Sequence, residues 1–530
     1  MAKILLVSVN DVNAEGLRML SASLRQNGHQ PYIVFLQRNG FPFNYEKKYF
    51  DVSQRVEEGD WTGVNAKGEA YRFCRGPDPN EAEEKLFLSL IEDIKPGAIG
   101  FTVTQPFERN IAYLSRLIKG KYNIPILWGG PGPTTGPETC SKWCDFVCTG
   151  EGEKTIVDIA ARIDNKEEIK EVNNLAYLQD GKFTQNPLYP LIANLDELPA
   201  KDIDPKNKFL IEDDRLVSNF NEVSYTRNVR YHTISSRGCP YSCSYCAENF
   251  MKKLYAPQRY LRRRSTANVI EELEEAKKIV NYQIVQFEDE VFSLDYEWLR
   301  EFGELYKKRI DVPFVCYIYP NKNIEKQLKL LKEIGLFSTC LALQSGSERI
   351  NKEIFNRPFN KKLYLETAQI IKRLDIEYYV DIITYNPFET RKDLQATLNV
   401  LRQLPKPFVM YVNKLYPIQG TKIRDLIEDS KKGKRNKLVA DRTFRHYTRL
   451  FFLTTNRTRF VVYFAHKAII FEYLPFLLTT FLNQIDRAIR VRDALKSAAT
   501  YIFLPKRFEE RLSRLEQTVA ELWPLSSKKR

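Results

Sequence analysis

Nine cysteines in a chain of 530 residues are too few for a secreted disulfide framework. No apolar leader precedes Lys3-Ile-Leu-Leu-Val-Ser-Val9, which reads directly as a first strand, so no signal peptide is expected. Long uninterrupted apolar runs are also missing. The most apolar stretch, residues 460–482, is broken by His466, Lys467, Glu472 and Pro475, whereas a spanning helix needs about 20 nearly unbroken apolar residues. The first 430 residues lack any charge surplus. All of the net +14 falls in residues 431–530, where 22 Lys and Arg face 8 Asp and Glu. A neutral body argues against nucleic acid as the partner. What remains is a globular protein, 43% hydrophobic and 28% charged, long enough for two or three domains and suited to a reducing cytoplasm.

The densest chemistry stands in Ser235-Ser-Arg-Gly-Cys239-Pro-Tyr-Ser-Cys243-Ser-Tyr-Cys246-Ala-Glu-Asn249. Cys239, Cys243 and Cys246 follow the spacing CxxxCxxC between an extended run and a helical one. Three thiolates on one loop can hold three corners of a cubic iron–sulfur cluster and leave the fourth iron open. A structural zinc ion would need a fourth ligand, and the nearest His is His232, on the strand before the loop. Gly238 and Pro240 suit a loop wrapped round a cluster, and Tyr241 and Tyr245 can shield it.

Residues 1–165 alternate strand and helix signals, which predicts a Rossmann-like parallel sheet with helices on both faces. Residues 39–80 are polar and Gly-rich and read as an insertion. Two glycine loops follow consecutive strands: Trp128-Gly129-Gly130-Pro-Gly-Pro-Thr134 and Thr149-Gly150-Glu151-Gly152-Glu153. Each alone is a tight turn; together they open the carboxyl edge of a sheet to a large ligand. Cys140, Cys144 and Cys148 look like a second cluster loop, but a spacing of four stacks side chains on one helix face, and buried cysteines are the simpler reading. Residues 166–225, with Leu195-Asp-Glu-Leu-Pro199 and Pro205, read as a linker. Residues 226–425 carry six strand–helix units and predict a partial (β/α)6 barrel, whose chemistry belongs at the carboxyl ends of its strands. Residues 426–530 read as a basic helical tail. Packing as a further helical layer is the simpler expectation for it, and an interfacial helix on anionic lipid the alternative.

The cysteine loop, with Tyr245 just before its last cysteine, resembles that of the radical SAM superfamily. The GGPGPT and GEGE stretches resemble the cobalamin-binding domain that precedes many such barrels. The resemblance implies a [4Fe-4S] cluster on Cys239, Cys243 and Cys246, with S-adenosylmethionine (SAM) chelated by the open iron. It places Glu288 and Asp289, at the end of the second barrel strand beside Glu290, on the SAM amino group. Gln344 and Ser345, at the end of the fourth strand, fall near its ribose and carboxylate, with Arg357 as a partner for the carboxylate. Cobalamin would lie on Gly129, Gly130, Gly150 and Gly152. Two departures stand out. Asp11-Val-Asn13-Ala-Glu-Gly16 carries Asn where mutase-type domains carry the cobalt-ligating His, so no protein imidazole is expected on the metal. Tyr385 and Phe388 replace the glycines of a Gly-x-Pro-Gly-Glu-Thr turn.

The implied activity is methylation of an unactivated carbon through a 5′-deoxyadenosyl radical, with no catalytic residue assigned beyond the cluster ligands. Radical cyclisation or rearrangement on the same scaffold is the alternative, followed by tRNA methylthiolation. The latter needs three further N-terminal cysteines and a terminal β-barrel. A non-catalytic lipid- or partner-binding protein is the third class. The expected partners are a small-molecule or lipid substrate, a flavodoxin- or ferredoxin-type electron donor, and a membrane surface met peripherally by the tail of an otherwise cytoplasmic protein.

Overall fold

The computed structural model describes residues 1–37, 61–64, 70–73, 78–104, 107–221 and 230–432, with short pieces between 443 and 455. Residues 1–457 form one compact unit. The apolar run 460–482 and most of the basic tail lie outside the described residues. Among those described, no helix is long and apolar enough to cross a membrane.

The first sheet has nine strands. Its centre is parallel, in the order Lys208–Glu212, Gln30–Leu36, Lys3–Val9, Ala98–Thr102, Ile126–Gly129, Phe146–Cys148. Ile4, Leu5, Leu6 and Val7 are all buried, because a parallel sheet covered on both faces takes apolar residues without alternation. Helices Glu15–Gln26 and Glu153–Asn165 cover one face, and Glu81–Ile94 and Glu108–Lys119 the other. Chain order reverses between Lys3–Val9 and Ala98–Thr102, which opens a crevice at the carboxyl edge. Antiparallel hairpins close both rims, Leu175–Gln179 with Lys182–Gln185 and Lys208–Glu212 with Arg215–Ser218. The expected linker 166–225 is therefore more than a connector: it supplies four strands that complete the first layer. Residues 186–207, where the prolines and alternating charge lie, are free of strand.

The second sheet holds six parallel strands in chain order: Arg230–Thr233, Ile284–Phe287, Phe314–Tyr317, Leu336–Cys340, Glu377–Thr384 and Val409–Lys414. Helices follow as the sequence predicts, several of them started by a capping side chain. Ser265 caps Thr266–Ile279, Asp295 caps Tyr296–Arg309, and Thr390 with Asp393 forms a capping box on Arg391–Leu401. First and last strands do not pair with each other, so the barrel is open. Residues expected only as an insertion place Trp61–Val64 and Ala70–Phe73 as an antiparallel hairpin on its Val409–Lys414 edge.

Candidate cofactor site between the sheets

A cavity of about 490 Å³ lies between the carboxyl edge of the first sheet and the mouth of the barrel. Gly129, Gly130, Gly150 and Gly152 line it from one side, and Gly238, Glu288 and Glu290 from the other. The two glycine loops and the start of the cysteine loop, Ser236 to Gly238, more than 80 residues further on, thus face one space, while Cys239, Cys243 and Cys246 themselves do not line it.

The cysteine loop leaves the first barrel strand through Ser236–Arg237, which pairs with Arg262–Arg263. Gly238 then turns with φ +93°, and any Cβ there would press on the Tyr260 carbonyl at 2.7 Å, so only glycine fits. No disulfide joins the eight described cysteines. Burial pushes the Cys239 thiol up to about 12 and raises Cys246 as well, with Glu290 adding to the effect. Thiolates in this setting call for a cation, which iron would provide. Tyr241 packs on Tyr319 at 4.2 Å between centroids, and Tyr245 stands edge-on to Phe355 at 4.9 Å, which fixes both rings on the loop that carries the cysteines. Among the described residues, no three His, Cys, Asp or Glu side chains are drawn together round a single ion.

Of the acids at the end of the second barrel strand, Glu288 and Glu290 line the cavity and Asp289 does not. Successive residues of extended chain point to opposite sides. Asp289 is 1% exposed and turned back toward the loop. It accepts from Ser235 N at 2.9 Å, Ser235 Oγ at 2.7 Å and Ser236 Oγ at 2.5 Å. The expected SAM contact is thus a brace for the strand that leads into the cysteines. Glu288 is held by His232 Nδ1 at 2.8 Å. Glu290 is exposed and lines the cavity, and desolvation beside Glu248 pushes its carboxyl up to about 7.

Gln344, Ser345 and Arg357 are absent from the cavity wall. Ser345 is fully buried, its hydroxyl 3.3 Å from Thr397 Oγ1, so it fastens its loop to the Arg391–Leu401 helix instead of meeting a ligand. Gln344 sits at φ +59° with its Oε1 buried and unpartnered. Arg357 donates to the Ala342 carbonyl at 2.9 Å, lies over the Tyr319 ring and is within hydrogen-bond reach of Cys243. Its Nε is buried without a partner. Tyr385 keeps the left-handed backbone of the glycine it replaces, at φ +57°, with its ring stacked on Phe444.

The GEGE loop has a second role that its glycines did not reveal. Glu151 accepts from Arg237 at 3.0 Å and from both terminal nitrogens of Arg262, at 2.8 and 3.1 Å. Glu153 takes the other arm of Arg237 at 2.5 Å. Burial alone would raise the Glu151 carboxyl, but Arg262 and Arg237 outweigh it and hold it below the usual range. Gly150 is at φ +82°, and a Cβ there would overlap the Tyr255 hydroxyl, which accepts from Glu151 N at 2.9 Å. Gly150 therefore serves close packing as well as the cavity wall. Arg237 stands two residues before Cys239, an arginine within the quoted motif that the cysteine spacing overshadowed.

Asn13 does not reach the cavity; its backbone is tied into a turn by Asp11 Oδ1 and by Arg18. Cys140 and Cys144 are buried as expected, 3% and 5% exposed in the core of the first sheet, but no helix stacks them: Cys140 ends the short helix Pro137–Cys140, Cys144 lies in a bend, and Cys148 ends the strand Phe146–Cys148 and lines the cavity. Burial raises all three thiols.

Residues 233–401 match the Radical SAM superfamily. An uncharacterized methyltransferase of Pyrococcus horikoshii is 26% identical over 357 residues, 64% of this chain and 72% of that protein. The radical SAM methyltransferase TsrM of Kitasatospora setae, solved with cobalamin and a [4Fe-4S] cluster, aligns at TM-score 0.59 and 15% identity, over 82% of this chain and 76% of that one. The cobalamin-dependent enzyme OxsB, solved with aqua-cobalamin and SAM, aligns at 0.59 and 14%, over 100% and 74%. The superfamily match runs from the end of the first barrel strand to the end of the Arg391–Leu401 helix. The fold, a Rossmann-like sheet in front of an open six-stranded barrel, is that of these two solved structures.

Proposed function

We propose that this chain is a cobalamin-dependent radical SAM methyltransferase acting on an unactivated carbon. The observation that carries the reading is the shared cavity, with the glycine loops of a sheet edge on one side and two carboxylates and the entry to the cysteine loop, Ser236 to Gly238, on the other. Cys239, Cys243 and Cys246 are free thiols on one loop and would hold three irons of a [4Fe-4S] cluster. Glu290, with no ion pair among the described residues, suits the SAM amino group; Glu288 lines the same cavity. Arg357, with one buried nitrogen open, suits the carboxylate. The sheet edge at Gly129 and Gly152 would take the corrinoid against backbone, and Asn13 leaves it without a protein ligand from below.

When bound, the cluster supplies one electron that breaks a SAM C–S bond to methionine and a 5′-deoxyadenosyl radical, and the corrinoid supplies the methyl group. The chain itself orients and encloses. Asp289 fixes the strand end that carries the cysteines, Tyr241 and Tyr245 keep water from them, and the Arg237–Glu151 contact sets the cysteine loop against the corrinoid edge. A flavodoxin- or ferredoxin-type donor in the cytoplasm would provide the electron. The test is anaerobic reconstitution with iron and sulfide, then SAM and a reductant. Formation of 5′-deoxyadenosine that is lost in Cys243→Ala supports the reading, and an inert wild-type chain with a full cluster rejects it.

A further inference from the structure

The concave face of the barrel sheet holds side chains that the proposed cofactors do not use. In the strand register Tyr317 stands opposite Cys340 and Cys340 opposite Tyr379, while Asp381, two residues on, stands opposite Tyr411. Cα partners on neighbouring strands share a face. These five residues therefore lie away from the helices, which cover Tyr378, Val380 and Ile382 on the other side. Tyr379 stands edge-on to Tyr317 at 6.3 Å and to Tyr411 at 5.3 Å between centroids.

Within this ring group the Asp381 carboxyl receives one hydrogen bond, from the Cys340 thiol at 3.4 Å, and a thiol is a weak donor. It makes no ion pair with any described residue. Asp289, on the same sheet, takes three strong bonds and shows what a structural aspartate looks like in this fold. Burial pushes the Asp381 carboxyl up to about 6, against the Cys340 bond and the charge of Arg357, so it is mostly anionic at neutral pH. None of the five lines the cofactor cavity, but Glu288, which does, is near enough to raise the Tyr317 phenol.

We propose that Asp381, walled by Tyr317, Tyr379 and Tyr411, is a substrate subsite for a protonated amine or amidinium group. A carboxylate with no ion-pair partner among the described residues, set in a wall of aromatic rings, attracts a cation by charge and by the ring quadrupoles together. A neutral or anionic substrate would leave that carboxylate buried and uncompensated. The inference rests on the methyltransferase reading for its place in the reaction, but it is tested separately from it.

The experiment is calorimetric titration of the full-length, cluster-loaded chain at neutral pH with three probes of one shape: benzylamine, benzyl alcohol and phenylacetate. The amine is expected to bind roughly tenfold tighter than the alcohol, and the acid not at all, which is the scale of a desolvated cation contact. Asp381→Asn should bring amine and alcohol to parity. Tyr411→Leu, a second variant should the first not fold, should weaken the amine more than the alcohol. Equal binding of amine and alcohol by the wild type, or an amine preference that survives Asp381→Asn, overturns the subsite. Cleavage of SAM by the same preparation without an amine preference rejects the subsite alone. An amine preference without cleavage supports the subsite and rejects the methyltransferase reading.

Discussion

Arg237 donates to Glu151 across the gap between the two sheets, at 3.0 Å, and the loop that follows Arg237 carries all three candidate cluster cysteines. Arg262 shares the same carboxylate, so a single buried anion ties two buried cations. Removing the anion leaves Arg262 without its ion pair, while Arg237 keeps Glu153, a loss of about 3 kcal/mol. Glu151→Gln should lower the denaturant midpoint accordingly and reduce the iron retained after reconstitution. An unchanged midpoint with full iron would show that the cysteine loop is held by something else.

Gly150 and Gly16 make a matched pair. Gly150 sits at positive φ against Tyr255, whereas nothing lies within 4 Å of a Cβ built on Gly16, inside the Glu15–Gln26 helix. Gly150→Ala should destabilise by about 1–3 kcal/mol through overpacking, with backbone strain added. Gly16→Ala should stabilise by about 0.4–1 kcal/mol. Thermal unfolding of the two variants reads both, and equal shifts would contradict the packing described.

The cysteines divide into two sets by position. Cys243→Ala should abolish the broad visible absorption of a reconstituted cluster and most of the bound iron. Cys144→Ala removes a core side chain and should leave the iron content unchanged while lowering stability. Loss of iron in Cys144→Ala would place a second cluster where the fold has an apolar core.

How much of this was legible beforehand follows from what kind of signal each feature leaves. The six barrel strands and the helices between them were readable, because apolar runs and capping residues such as Ser265, Asp295 and Thr390 are local. The cysteine loop was readable from spacing. The 166–225 stretch was misread as linker because its strands, such as Lys208–Glu212, pair with residues some 170 positions earlier, and short edge strands carry weak patterns. Asp289 was misplaced because three consecutive acids look alike until strand alternation is carried past Phe287. Ser345 was misplaced because a hydroxyl beside a glycine turn serves a ligand and a neighbouring helix equally well in sequence. The Arg237–Glu151 contact joins residues 86 apart and has no sequence signature at all.

Asp393 gives the fold a defined acid sensitivity. Burial would raise its carboxyl, but bonds from Arg349, Ser347 and Thr390 prevail and hold it down to about 2. A carboxyl whose folded value lies below its unfolded value, about 4 for aspartate, stabilises the fold above that range and loses its contribution as pH falls through the folded value. The stability difference between wild type and Asp393→Asn should therefore be largest above the ordinary aspartate range and shrink toward pH 2. A difference that stays constant with pH would contradict the bonding seen at this helix start.

The central claim is that one cavity serves two cofactors, and the corrinoid half is the more exposed to refutation. The direct measurement is the visible spectrum of the full-length chain after anaerobic reconstitution with iron, sulfide and hydroxocobalamin, followed by gel filtration. Near-stoichiometric corrinoid co-eluting with the protein, with no spectral sign of histidine ligation, is the predicted result. A chain that carries its cluster but emerges free of corrinoid would contradict the claim.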